Sequence, residues 1–599
     1  MLHKKILILL SRRERRTGFA LFAMILIMAL MDTVGVASII PFMAVLGQPD
    51  IVRTNQWLNM VYTLLEFTDP KDFLFFLGIL VFVALMSSII FKALTQCALQ
   101  RFTQMRNHSL SCKLFNGYLN RPYIWFLNRH SSDLVLNMLS EVNQVINGVL
   151  MPIIQFFVHG TVALFLIIML MLLDPILILI VALVLSGAYA FIYLVIRKYL
   201  ARIGADRVLA NKQRFRVVQE ALGGIKEVKV FNRELSFFNR FSSPALRFAS
   251  HQANSNIASI MPRYLLEIVA FGGILLIGLY LSKTNSSFNQ ILPILSVYAF
   301  AGYRLLPALQ QVYAQVTSLR FGLPALDSVY KDILEISKNK QSIKKDGCQP
   351  LILEHSIKLK NIYFTYPGAQ MAALKNLNLT IPAKSTIGLV GTTGSGKTTV
   401  ADVILYLLSP QKGQLLVDDK PITLENVQTW QLALGYVPQR VYLSDDTVAA
   451  NIAFGISKSF VDMDAVIQAA KIANLHDFVS NELQKGYKTL VGERGIRLSG
   501  GQIQRIGIAR ALYHDPAVLI FDEATSALDN QTEQSVMKAI HNMDKTKTII
   551  LIAHRLNTVK NCDSIFIFEH GELKGQGSYD ELLENNRHFQ TLATKHNNL

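Results

Sequence analysis

Cysteine is scarce in this chain: Cys97, Cys112, Cys348 and Cys562 are the four in 599 residues. Their scattered spacing matches no zinc site and no disulfide framework, and reads as ordinary reduced thiols of a chain with mostly cytosolic loops. Acidic residues are also in deficit, 42 against 59 Lys and Arg, for a formal charge of +17. Such an excess can mark a nucleic-acid binder. Here 51% of residues are hydrophobic and the mean hydropathy is +0.32, too apolar for a soluble protein. The basic excess is better explained by Lys and Arg collecting in the cytosolic loops of a membrane protein, and no nucleic-acid partner is expected. A cleavable leader is not expected either, because the first apolar run is too long and lacks a small-residue exit. A single core is excluded by length, and roughly two to four domains are expected.

Six apolar segments approach the ~20 residues needed to cross a bilayer. They run about Gly18–Val45, Phe73–Leu94, Val145–Leu173, Pro175–Ile196, Ile257–Leu281 and Ile291–Val312. Lys4, Lys5, Arg12, Arg13, Arg15 and Arg16 precede the first. The connection after the fourth carries Arg197, Lys198, Arg202, Arg207, Lys212, Arg214, Arg216, Lys226 and Lys229, whereas that after the fifth offers only Lys283. This asymmetry predicts cytosolic termini and a cytosolic C-terminal domain. The connections after spans two and four run about 50 to 60 residues, polar and helical in period, and those on the outside are short. One outside stretch, Thr54–Phe67, places Trp57, Leu58, Val61, Leu64 and Leu65 at helical spacing, which suits a short helix at the outer membrane surface.

After a polar linker, Ile336–Pro350, the pattern changes to short strands and soluble helices. Gly391, Thr392, Thr393, Gly394, Ser395, Gly396, Lys397 and Thr398 form a phosphate-binding loop between a strand, Thr386–Val390, and a helix opening at Thr399. The glycines let successive N–H groups turn toward the phosphates of ATP, Lys397 adds a cation, and the Thr398 hydroxyl can ligate Mg²⁺. A second nucleotide element follows at Leu498-Ser499-Gly500-Gly501-Gln502. Val518-Leu-Ile-Phe-Asp522-Glu523 is an apolar strand ending in two acids.

In this order the motifs resemble those of ABC exporters, and the resemblance covers the whole chain. It implies six membrane helices in the ABC exporter fold over residues 1–335, a linker at 336–350, and an α/β P-loop ATPase domain over 351–599. Tyr366 matches the aromatic that stacks on adenine, and Gln439 the glutamine that touches Mg²⁺ and the attacking water. Asp522 matches the Mg²⁺ ligand, Glu523 the residue that polarises that water, and His554 the γ-phosphate contact. Ser499, Gly500, Gly501 and Gln502 complete the opposing domain's site, and Ser526-Ala-Leu-Asp529 is the loop that crosses to the partner. Glu493 sits where exporters carry an acid that communicates with the membrane domain. Tyr123–Leu134 and Val217–Lys229 look like the two coupling helices. No catalytic element is degenerate, so a homodimer with two competent sites is expected.

Ionisable residues inside spans are costly and tend to face a wet cavity. Asp32, Lys92 and Arg304 are of this kind, and Arg263 stands one turn from Glu267, close enough for mutual neutralisation. Arg304 calls for an anionic partner, either Asp32 or a substrate phosphate. Met261–Glu267, Ala301–Pro307 and Leu222–Lys229 resemble segments of bacterial lipid-linked-oligosaccharide flippases. In those proteins cavity arginines handle the lipid pyrophosphate and a short external helix engages the lipid tail. Lys92, Arg304 and Thr54–Phe67 fall at matching places, but Lys92 replaces an arginine and Gln311 stands where a third base is expected. The expectation is ATP-driven flipping of an anionic amphipath, such as a lipid-linked glycan, across the inner membrane. A multidrug or lipid A-type exporter is the alternative, and a non-transport regulator is disfavoured by the complete catalytic set.

Overall fold

The computed structural model describes residues 2–9, 11–47, 49–171, 175–283, 288–338, 347–524, 530–541, 546–553 and 555–597. It divides into two compact units, Met1–Arg121 with Arg129–Asn339, and Pro122–Asn128 with Lys340–Leu599. The short excursion at Pro122–Asn128 thus belongs with the second unit, and most of the expected linker lies outside the described residues.

The first unit is helical throughout. Its elements are α1 (Leu2–Leu9), α2 (Arg12–Ala37), α3 (Ile39–Gly47), α4 (Ile51–Thr54), α5 (Gln56–Leu64) and α6 (Pro70–Leu119). After α7 (Tyr123–Leu127), which belongs to the second unit, come α8 (Ser131–Val135), α9 (Val142–Val145), α10 (Met151–Met171), α11 (Pro175–Gly223), α12 (Ile225–Val230), α13 (Glu234–Lys283) and α14 (Phe288–Lys338). Two π-helical turns, Leu136–Glu141 and Ile146–Leu150, join α8, α9 and α10 into one rod. At 1.5 Å per residue, the 50 residues of α6 reach about 75 Å, well over twice the ~30 Å of a bilayer's hydrocarbon. Among the described residues four stretches are long and apolar enough to cross: Arg12–Gly35, Pro70–Leu119, Ser131–Met169 and Ala182–Gly223. Only 22% of the apolar window of Pro70–Leu119 is buried in protein, so most of that surface is left for lipid. The expected fifth and sixth spans fall on α13 and α14.

The first span departs from a single helix over Gly18–Val45. It breaks at Ser38, whose hydroxyl donates to the Gly35 carbonyl at 2.8 Å. Pro41 has no N–H to give the Ala37 carbonyl, so the chain turns there and restarts as α3. Small residues set the closest crossings: Gly204 lies against the Phe321 backbone and Gly322 against Gly148. Beside them Arg207 (2% exposed) donates from Nη2 to Glu141 (0%) at 2.6 Å, and Asn211 donates to the other carboxylate oxygen at 2.9 Å.

The second unit holds two sheets. Antiparallel β2 (Leu374–Pro382), β1 (Ser356–Phe364), β4 (Lys412–Val417) and β5 (Lys420–Pro421) lie in that order. The other sheet has the order β10 (Glu572–Gly577), β9 (Ser564–Glu569), β3 (Thr386–Gly391), β8 (Thr548–Ile552), β7 (Val518–Asp522), β6 (Leu434–Val437). From β9 to β6 neighbouring strands are parallel. All five residues of β7 and of β8 are buried, as continuous apolar runs covered on both faces require. This sheet aims the C-terminal ends of β3, β8, β7 and β6 at one edge, where ligands of open α/β sheets bind.

Candidate ATP site and intramembrane polar residues

The phosphate loop leaves β3 at Gly391 and enters α15 (Lys397–Ile404). Gly394 and Gly396 take φ of +80° and +103°, left-handed values that favour glycine. At Gly391 a Cβ would strike the Phe568 carbonyl, so the loop's close approach to β9 also requires glycine. Lys397 is 5% exposed, and its Nζ donates to the carbonyls of Gly391 at 2.8 Å and Thr392 at 3.1 Å. Burial lowers its pKa, and the charges of Glu523 and Asp522 oppose that. Thr392, Thr393, Gly394 and Thr398 are exposed, while Ser395 and Thr399 are buried. The Tyr366 hydroxyl lies 3.1 Å from Thr399 Oγ1, and its ring packs edge-on against Phe364, which fixes its place beside the loop.

Two strands away, β7 ends at Asp522, 4% exposed, with its pKa pushed up to about 6 by burial and then by Glu523. Glu523 follows with φ +49°, held there because its N–H donates to the Ile552 carbonyl at 3.0 Å. Gln439, two residues past β6, donates from Nε2 to Glu523 Oε2 at 2.6 Å. The structure therefore brings together the loop lysine, both acids and Gln439. His554 and Asp529 lie outside the described residues. Ser499 caps the helix Gly500–Leu512 through a reciprocal pair, Gln502 N–H to Ser499 Oγ at 3.3 Å and Ser499 N–H to Gln502 Oε1 at 2.8 Å. Ser499 and Gly500 are exposed, Gly501 and Gln502 half-buried. Glu493 is exposed on a 3₁₀ turn.

Two residues of this site escaped the sequence reading. Gln504, buried on the same helix, donates to the Glu523 carbonyl at 3.3 Å. Asp402, near the end of α15, has its pKa raised to about 6 by burial and then by Asp522. A lone Gln or Asp within a helix carries no motif, so neither had a signal. The expected first coupling segment, Tyr123–Leu134, opens with the short helix α7, whose Ile124 packs on the core beneath β1, β3 and β7. The second, Val217–Lys229, runs from the end of α11 into α12, and the exposed Val230 and Phe231 follow it.

In the first unit Lys92 Nζ lies 3.7 Å from Asp32 Oδ2, with the lysine side chain 52% exposed and the aspartate 18%. Asp32 thus pairs with Lys92 across α2 and α6, and the Arg304 side chain lies outside the described residues. Arg263 donates to Glu267 at 2.6 Å, as the one-turn spacing implies.

A helical membrane unit joined to this nucleotide-binding sheet defines an ATP-powered membrane translocase. Residues 374–526 match the ABC transporter family, and residues 51–302 match the ABC transporter transmembrane region. An ATP-dependent lipid A-core flippase of Cupriavidus metallidurans is 31% identical over 487 residues, 79% of each chain. The same-named protein of Escherichia coli K12 is 32% identical over 372 residues, 61% of this chain and 62% of that one. A bacterial Atm1-family ABC exporter solved with ATP bound superposes with a TM-score of 0.77 over 97% of this chain and 98% of that one. At 23% identity that likeness speaks for the fold. The chain belongs to the ABC transporters, as an exporter half-transporter that couples ATP hydrolysis to translocation.

Proposed function

We propose that this exporter flips an anionic glycolipid, of the lipid-linked oligosaccharide class, across the cytoplasmic membrane, with its termini and ATPase domain in the cytosol. The observation that carries the reading is Lys92, a half-exposed cation at span depth whose one ionic partner among the described residues is Asp32. A cation kept at that depth suits a negatively charged headgroup. Arg304 would add a second, bidentate contact to phosphate. Arg263, already satisfied by Glu267, stands as an interfacial anchor. The exposed stripe Trp57, Met60, Val61 and Leu64 on α5 supports a helix lying at the outer surface.

Hydrolysis rests on positioning and charge neutralisation, because phosphoryl transfer asks little covalent chemistry of the protein. Tyr366 would stack on adenine, while the loop amides and Lys397 hold the phosphates. Glu523, oriented by Gln439, polarises the attacking water, and His554 meets the γ-phosphate. Thr398, Gln439 and the buried carboxylate Asp522 form a hard oxygen donor set that fits Mg²⁺, which would neutralise phosphate charge. Ser499 and Gly500, exposed on their own domain, would complete the site of a second copy, with Asp529 crossing toward it. The apolar tip at Val230 and Phe231 supports the same homodimer, since a second copy would cover it.

A second reading is favoured by the relatives. The lipid A-core flippase likeness makes a lipid A-type glycolipid the alternative cargo. Proteoliposomes loaded in parallel with a polyprenyl-pyrophosphate glycan and with lipid A-core separate the two. ATP-dependent loss of outer-leaflet accessibility for the first alone supports the proposal, and for the second alone replaces it with the relatives' substrate.

A further inference from the structure

The chain passes between its two units at three places: Arg121 to Pro122, Asn128 to Arg129, and Asn339 to Lys340. Along the chain, each crossing lies within four residues of a member of one hydrogen-bonded set around a buried carboxylate. Asp332, 4% exposed on α14, accepts from the Tyr118 hydroxyl at 2.6 Å and from Asn137 Nδ2 at 2.8 Å on one oxygen. Its other oxygen accepts from Arg129 Nη1 at 3.4 Å, and Arg129 Nη2 donates to Glu335 at 2.6 Å. Ser328 donates to Asn137 Oδ1 at 3.1 Å, closing the set onto α14. Tyr118, in the last turn of α6, lies three residues before the first crossing, Arg129 opens the chain after the second, and Glu335 lies four residues before the third. Packing supports the same spot: a Cβ on Gly117 would come within 2.5 Å of the Ile336 side chain, so α14 packs directly on α6 there.

The geometry points to Asp332 as a positioning residue for energy coupling. We propose that its network binds the root of α7 and the end of α14 into one rigid piece, so that nucleotide-driven motion of the ATPase unit enters the membrane helices as a single displacement. The argument is mechanical and independent of the cargo. A buried carboxylate with three polar bonds resists opening, because each broken bond leaves a group unsolvated. Two chain connections that could otherwise move separately are thereby held together. In this role Asp332 acts only through the elements it joins.

Hydrogen exchange on the full-length protein in lipid nanodiscs, with and without Mg²⁺, ATP and vanadate, tests this. In the wild type, trapping should protect residues 391–408 at the phosphate loop and also change exchange in 131–150 and 315–335. Asp332→Asn should keep the phosphate-loop protection and basal ATPase within about twofold, yet lose about half or more of the response in the membrane helices. Arg129→Lys alone, which keeps a cation beside an intact Asp332, should retain most of that response. If Asp332→Asn fails to fold, Glu335→Gln with Arg129→Gln leaves the buried acid in place and is read in the same way. A wild-type membrane-helix response in either folded variant, even with a lowered Tm, overturns the proposal and leaves the network a purely structural one.

Discussion

Gln439 Nε2 donates to Glu523 Oε2 at 2.6 Å, so a glutamine just past β6 fixes the carboxylate that leaves β7 in a left-handed turn. The bond ties together two strand ends that the sequence separates by 84 positions. Replacing Glu523 with Gln removes the charge that polarises water and leaves the phosphate cradle intact. ATP binding should persist while turnover falls more than about tenfold, a barrier rise above about 1.4 kcal/mol. Steady-state ATPase alongside nucleotide binding checks it, and a variant retaining most of its turnover removes Glu523 from the role.

Co-expressing Ser499→Arg and Lys397→Ala chains tests the shared site. Each substitution alone should silence both composite sites of a homodimer. A mixed dimer keeps one site intact and doubly damages the other, so ATPase should reappear on mixing. Demonstrated mixing without recovery counts against independent shared sites.

Much of the nucleotide site was legible because phosphate binding imposes a local code. Glycines, a lysine and a hydroxyl must be contiguous, and the two acids must end a buried apolar strand. The membrane side was legible as apolar lengths, but not in its pairings. Asp32 and Lys92 are 60 residues apart on different helices, and only packing of α2 against α6 brings them together. The break at Ser38 needed the combination of a back-bonding hydroxyl and Pro41, each tolerated alone in a helix. Asp332 and Asp402 are single acids in helices, with no local mark of their burial.

Asp402 makes stability depend on pH. Its pKa is raised to about 6 from an ordinary 3.8, with burial the larger cause and Asp522 the second. The folded state therefore holds this proton where the unfolded chain has released it, and stability falls as pH rises from about 4 to 6. Asp402→Asn removes the penalty. Its Tm without nucleotide should exceed wild type at pH 8, and the gap should narrow below pH 6 and close toward pH 4. Asp522, also raised to about 6, leaves a residual slope in the variant. A gap constant with pH would contradict the assignment.

The Arg207–Glu141 pair is more costly to break than to replace. Both side chains are almost fully buried, so Arg207→Met should strand Glu141 and cost about 3–5 kcal/mol. Adding Glu141→Gln should recover most of that loss. Thermal melts of the two variants in detergent, side by side, read the difference.

The most direct test of the cargo reading is the initial rate of ATP-driven flipping of a polyprenyl-pyrophosphate glycan by the double variant Asp32→Asn, Lys92→Ala. Removing both charges avoids the stranded carboxylate that Lys92→Ala alone would leave, so folding and basal ATPase should stay near wild type. If Lys92 meets the anionic headgroup, flipping should fall about tenfold or more, equivalent to about 1.4 kcal/mol, and Lys92→Arg should retain most of it. Wild-type flipping by the well-folded double variant would contradict the account and leave the Asp32–Lys92 pair a structural one.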